Sequence, residues 1–530
     1  MRRLQLLVLA ALCAAACQPA APPSGDVSPT AAATTAGIER PVPRLDVDER
    51  FSGAELGRYE DAHPDAYDYI DEHLDAHVAH LQRWIRQPSI SAQNVGITEM
   101  ATMLRDDLAA LGFQETELVP TDGHPGVWGF YDAGAEKTLL LYMMYDVQPV
   151  EPADWDSPPF AAELVEHELG TVLMGRGATN QKGPQRAFLN AVEAIIATEG
   201  RLPVNLMVAA EGEEELGSPN YPQVIDRYEE RLRTADGAIF PFNSQLPDGR
   251  LNMILGVKGI VYFELEASGG PHGGPTRAEI HGSYKAAVDA PAWRLVQALA
   301  SLVSEDGNTI LVPGYYDRLR PMNDEEQRLL NGVLAEYDDE QLKSALGVER
   351  WIDGVDGRRA QLELLLQPTL NIDGIWGGYT GEGVKTILPH RATAKVDSRL
   401  PPGLDPADAL AKIRAHLDTQ GFGDVAMRTL SAYPAAQTSV EAPMVQAAIR
   451  VGNKYASSVT VNPRIAGSAP FYQFTERLGL PMVPYGIGFG TGAHAPNEIM
   501  LIRPRAGAAV AGLADIEKSY VDFLYALAGD

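Results

Sequence analysis

A chain of 530 residues is too long for one ordinary hydrophobic core and predicts two folded units behind an N-terminal extension. Its 71 acidic and 43 basic side chains leave a formal net charge of −28, which argues against nucleic acid and an anionic membrane face as partners. Both cysteines, Cys13 and Cys17, lie in the leader, so the body has no disulfide framework, thiolate metal site or cysteine nucleophile.

The leader, MRRLQLLVLAALCAAAC, has two arginines, an apolar stretch from Leu4 to Leu12 and small residues at Ala14–Ala16. It reads as a signal peptide over residues 1–17, too short to span a bilayer. A cysteine directly after the small residues resembles a bacterial lipoprotein signal, with Ala14 where leucine is usual. That resemblance makes Cys17 the lipidated residue and implies an exported protein, anchored to a membrane and facing the periplasm or cell surface. Residues 18–64 open rich in Ala, Pro, Ser and Thr and read as a flexible linker.

From Asp65 the pattern changes. Ile70, Leu74, Val78, Leu81 and Ile85 recur at helical spacing until Pro88, and a second helix over 98–111 ends at Gly112. Short strands follow at 115–119 and 127–131, then a fully apolar run from Leu139. A strand at 171–174 leads into the turn GRGATNQKGP, Gly175 to Pro184, and a helix over 185–198. The buried strand 204–210 runs into EGEEELGS, and a helix over 223–232 precedes a strand at 237–240. Strands alternating with helices predict an α/β fold around a mostly parallel sheet. Residues 257–431 read as an inserted α+β, ferredoxin-like unit: strands at 259–267, near 370 and at 392–400, with helices over 291–303 and 406–417. The first unit, 65–256, resumes over 432–530 with a terminal helix from about Gly507.

The chain is organised around LLLYMMYDVQPVEPADWDSPPF, Leu139 to Phe160. A buried strand exits here into a loop that begins with Asp146, the position where α/β enzymes gather catalytic groups. The stretch resembles the first metal-binding motif of the two-zinc exopeptidase and deacylase family, which includes carnosinase, glutamate carboxypeptidases, acetylornithine deacetylase and succinyl-diaminopimelate desuccinylase. The family reads Gly-His-Tyr-Asp-Val-Gln-Pro-Val where this chain has Met143 and Met144 before Tyr145 and Asp146. Several further motifs follow in the family's order from Asp65 to the end.

The resemblance implies a role for each matching residue. Asp146 orients the first-zinc histidine, whose own position is Met144. The bridging aspartate position is Asn180, and the first zinc's later acidic ligand falls at Pro241 or, one residue along, Phe242. Glu214 takes the general-base position, Glu215 and His494 the second-zinc positions. His281 matches a lid histidine that crosses the family's dimer to polarise the scissile carbonyl, which implies a homodimer joined through the inserted unit. Thr386, Arg399 and Ser468 match positions holding the substrate carboxylate. Asn180 can join that pocket or offer its carbonyl as a weak third ligand.

A thioether, an amide and an imino acid thus stand where the first zinc takes imidazole and two carboxylates. One divalent ion at most, zinc by its donors, or none, is expected. Met143 and Met144 read better as core filling than as ligands of a soft metal. The turn GRGATNQKG lacks the order of a phosphate-binding loop. Glu213–Glu215 alone would pass for a solvated acidic loop, but they follow a buried strand. The expected function is an amidohydrolase or dipeptidase acting on a dipeptide or N-acyl amino acid with a free carboxylate. Its rival is a catalytically inactive relative that binds such a ligand.

Overall fold

A computed structural model describes residues 37–270 and 272–529 of the chain. The expected leader, with the expected lipidation residue Cys17, and residues 18–36 of the expected linker lie outside the described residues. No helix among the described residues is long and apolar enough to cross a membrane.

The central layer is a six-stranded sheet. In spatial order its strands are Glu115–Val119, Gly126–Tyr131, Asn205–Glu211, Thr138–Met144, Gly237–Pro241 and Met482–Tyr485. The last four run parallel, and the two at the other edge run antiparallel. Every residue of Thr138–Met144 is buried, as a strand covered on both faces requires. Its alternate side chains serve two cores. Leu139, Leu141 and Met143 pack with the helices Pro64–Arg86, Ile97–Ala110, Lys182–Glu199 and Leu513–Gly529. Leu140, Tyr142 and Met144 pack with Trp128, Phe240, Phe471 and Phe474 on the opposite face.

Three expectations are corrected. The helix after the GRGATNQKGP turn starts at Lys182, because Pro184 is tolerated in a first turn where its missing N–H has no partner to lose. The terminal helix starts at Leu513, since Gly507 holds the left-handed region with φ +87° and the chain turns there first. The linker is not free from residue 37 onward. Gln327 Oε1 accepts from the backbone N–H groups of Asp46 (2.6 Å) and Val47 (3.1 Å), and Phe51 N–H donates to the Arg328 carbonyl at 3.0 Å. Arg40 pairs with Asp353 at 2.6 Å and Glu363 at 3.0 Å. Composition misses this because the contacts are scattered: single backbone N–H groups, one arginine and isolated apolar residues such as Leu45, Phe51 and Leu56, with no local period.

Between Gly259 and Tyr433 lies a second, fully antiparallel sheet. Its spatial order is Asn371–Trp376, Arg391–Leu400, Gly259–Ser268 and Ala426–Tyr433. With the helices Pro291–Ser301 and Pro406–Thr419 the chain order is βαββαβ, the ferredoxin-like arrangement. Val261, Phe263 and Leu265 bury under these helices, so the alternate residues Ile260, Tyr262 and Glu264 lie on the face without them. Helices Asp324–Ala335, Asp339–Leu346 and Gly357–Leu366 form an excursion before Asn371–Trp376.

Candidate active site

The site forms at the C-terminal ends of the parallel strands. Asp146, two residues beyond Thr138–Met144, is fully buried. Its Oδ1 accepts from Glu214 N–H (3.2 Å), and its Oδ2 from Glu215 N–H (3.1 Å) and the Ser91 hydroxyl (2.8 Å). One carboxylate therefore fixes the short 3₁₀ turn Glu214–Leu216 that carries both glutamates. Burial, then the charge of Glu215, pushes Asp146 up to about 7.

Glu498, which the sequence shows only as a residue flanking His494, fixes the other wall. It is fully buried and accepts from Arg176 Nη1 (2.7 Å) and from the N–H groups of Gly177 (3.0 Å), Thr179 (2.8 Å) and Asn180 (2.8 Å). The turn carrying Asn180 is thus clamped onto the chain segment carrying His494. Asn497 adds two hydrogen bonds to Asp156 of the organising loop, at 2.8 and 2.9 Å. A lone glutamate opening the apolar strand Ile499–Pro504 was the only sign of this clamp in the sequence.

Between these walls Asn180, Glu215 and His494 meet. Glu215 accepts from Asn180 Nδ2 (2.8 Å) and Gln148 Nε2 (2.8 Å), and His494 Nε2 stands 3.1 Å from its Oε2. The Glu215 hydrogen bond raises the His494 pKa above its ordinary value. Asn180 thus turns its NH₂, not its carbonyl, toward this group; its Oδ1 accepts from Gln181 Nε2 at 2.9 Å. In this arrangement Asn180 offers a donor to Glu215, because a carboxylate takes only donors. Glu214 differs from its neighbours: no donor among the described residues reaches its carboxyl. Burial, then Glu215, Asp146 and Glu211, raises its pKa well above the ordinary carboxylate range.

The remaining predicted residues divide. Met144 packs in the aromatic core and Pro241 pairs with Tyr485 in the sheet. The donor set therefore does not fit a pair of metal ions. Glu215 and His494 alone offer a carboxylate and an imidazole, and a catalytic zinc takes about three protein ligands. No group of three or more His, Cys, Asp or Glu side chains among the described residues is arranged to hold a metal ion. His281 and Thr386 come together, with Nε2 and Oγ1 3.3 Å apart, at the two-stranded ribbon pairing Ile280–His281 with Ile387–Leu388. Ser468 donates to the Gly259 carbonyl at 3.1 Å. Arg399 lies on the helix-free face of the second sheet and gives its Nε to Asp397 at 3.0 Å. Ser431, on the edge strand of that sheet, lies against Gly217, so that sheet edge meets the Glu214 turn.

The model of "Peptidase family M20/M25/M40" matches residues 140–506. The Cys-Gly metallodipeptidase of Candida albicans is 29% identical over 359 residues, 64% of this chain and 71% of that one. Human Beta-Ala-His dipeptidase is 29% identical over 371 residues, 66% and 70% of the two chains. Among solved structures, the M20 family metallo-carboxypeptidase Sso-CP2 from Sulfolobus solfataricus superposes with a TM-score of 0.77 at 34% identity, covering 86% of this chain and 99% of its own. Human carnosine dipeptidase 1 gives 0.72 at 25% identity, with 88% and 100% covered. The expected resemblance holds, and the chain belongs to peptidase family M20/M25/M40.

Proposed function

We propose that the protein is a dipeptidase-like hydrolase that cleaves the amide bond of a dipeptide or N-acyl amino acid bearing a free carboxylate, without a pair of metal ions. The observation that carries this reading is Glu214. Its backbone is pinned by Asp146 while its carboxyl is left without a donor. Such a group takes a proton from water as the oxygen attacks the carbonyl carbon, then returns it to the departing amine. Arg399 uses only Nε on Asp397, which leaves its terminal nitrogens to hold a carboxylate. His281 stabilises the oxyanion when a second subunit brings it across, so the working form is a homodimer. Glu215 and His494 hold one divalent ion at most, zinc by donor type, or none.

One observation favours the rival reading of an inactive binder. Glu215, Asn180, Gln148 and His494 already satisfy one another. A panel of dipeptides and N-acyl amino acids, assayed beside the metal content of the dialysed protein, separates the two. Turnover that Glu214→Gln abolishes while ligand affinity persists supports the hydrolase. Binding with no turnover in the unmodified protein supports the binder. Two tightly held zinc ions per chain overturn the metal assignment. Export and anchoring through Cys17 belong to the same proposal. A fatty-acid label that Cys17→Ser removes supports it, and an unlabelled, freely soluble protein overturns it.

A further inference from the structure

The second sheet meets the Glu214 turn along its edge strand Ala426–Tyr433. Ser431 and Tyr433 stand opposite Tyr262 and Ile260, so both side chains share the helix-free face. Ser431 lies against Gly217, the residue that closes the 3₁₀ turn carrying Glu214. Tyr433 follows two residues further along the same face. It is 8% exposed, and its ring stacks on Tyr472 with centroids 5.5 Å apart and planes at 9°.

Other tyrosines around this centre have their hydroxyls engaged. Tyr142 donates to Glu211 at 2.7 Å, Tyr221 to the Ala209 carbonyl at 3.2 Å and Tyr145 to the Pro125 carbonyl. Tyr472 accepts from Gln473 Nε2 at 2.7 Å. Tyr433 makes backbone and ring contacts, but its hydroxyl meets no hydrogen-bond partner among the described residues. Burial, then the charge of Glu214, raises its pKa above the ordinary value; Arg399 opposes this and Glu211 adds to it. The phenol therefore keeps its proton and can only donate or accept a hydrogen bond.

Glu214 and Tyr433 are thus two bare, buried polar groups that feel each other without a bond between them. Buried groups are left so where an atom of a ligand completes them. Arg399 stands opposite Ile260 from the other side, so it lies in one row with Tyr433 across the sheet. Two strand spacings, about 10 Å, separate their backbones. A substrate whose free carboxylate is held by Arg399 therefore directs its next carbonyl toward Tyr433 and Glu214.

We propose that Tyr433 is a further catalytic residue, whose hydroxyl donates to the oxygen of the scissile carbonyl. The proposal rests on the Glu214 hydrolase reading. As Glu214 takes a proton from water, the water oxygen bonds to the carbonyl carbon and the C=O π pair moves onto the carbonyl oxygen. That oxygen becomes an oxyanion, which accepts from the Tyr433 O–H without taking its proton. When the oxyanion re-forms the double bond, the C–N bond breaks and the amine leaves with the proton from Glu214. Tyr433 supplies this donor from the same chain as the base, whereas His281 has to come from a second subunit.

Tyr433→Phe tests it, because the ring and its stacking on Tyr472 are kept and the melting temperature should stay level. On the dipeptide turned over best, kcat should fall by about 10²-fold with KM within about twofold. An unchanged kcat, or a loss carried by KM alone, overturns the proposal and leaves the hydrolase reading intact. Two isosteres of Ala-Ala give a readout that needs no turnover. The phosphinic one mimics the tetrahedral centre, and the ketomethylene one keeps a trigonal carbonyl. By calorimetric titration Tyr433→Phe should bind the first at least about tenfold more weakly and the second within about threefold of the unmodified protein. No binding of the phosphinate, equal binding by both proteins, or equal weakening of both isosteres overturns the proposal. The selective loss in a protein that cleaves no dipeptide leaves the donor standing and removes the hydrolase reading instead.

Discussion

Glu498 and Glu214 are carboxylates at the same end of the same sheet, and their surroundings are opposite. Glu498 is fully buried yet takes four hydrogen bonds, one from a guanidinium. Glu214 takes none among the described residues and is surrounded by Glu215, Asp146 and Glu211. Burial raises both pKa values, but at Glu498 Arg176 and three backbone donors oppose it. The first is a strut that locks a turn in place. The second is kept in a costly state by the rest of the fold, which is how a proton-transfer group differs from a structural one.

The contrast is tested most strongly at Glu214. Glu214→Gln should reduce turnover by about 10²–10⁴-fold while the melting temperature stays level or rises, because the change removes an uncompensated charge. The acid limb of the pH–rate profile should lie above the ordinary glutamate range, since the base works only when deprotonated and its pKa is raised. Full activity in the variant would move the chemistry to another residue.

Glu498→Ala should do the reverse. It strands Arg176, 3% exposed, and three N–H groups, so unfolding free energy measured in denaturant should fall by about 3–5 kcal/mol. A loss below about 1 kcal/mol would show that the clamp is only a surface-grade interaction.

His281 sharpens the same comparison from outside, as a group with no contact to Glu214 in its own chain. His281→Ala should cost about 10²-fold in turnover. Mixing that variant with Glu214→Gln in one preparation should restore about a quarter of the activity, because half the dimers then contain one complete site. No recovery, or a fully active monomer by sedimentation, breaks the shared-site reading.

The smallest effect concerns Lys258, 1% exposed, whose ammonium donates to the Gln367 carbonyl at 2.7 Å. Burial, then Arg464 and Arg399, lowers it from 10.5 to about 7. Between those values the unfolded chain holds a proton that the folded chain does not, so stability rises with pH across that window. Lys258→Met should remove up to about 1.4 kcal/mol per pH unit from that slope. An unchanged slope would mean that Lys258 stays charged when folded.

The strands and helices around the central sheet were legible because their apolar spacing repeats locally. Leu139–Met144 and Ile70–Ile85 carry their own period, and the structure follows them to within a few residues. Asp146, Asn180, Glu214, Glu215 and His494 were legible as a set through motif order, and the fold brings them together from residues up to 348 positions apart. Their hydrogen bonding was not. That Asn180 turns its NH₂ toward the group, that Gln148 joins it, and that Glu498 clamps it follow from the meeting of three distant loops. Sequence by itself determined the sheet, the family and the residue types at each position, because these depend on local period and chemistry. Only the tertiary structure decided which carboxylates are satisfied and which are left bare, because a donor's reach is set by loops that share no local pattern.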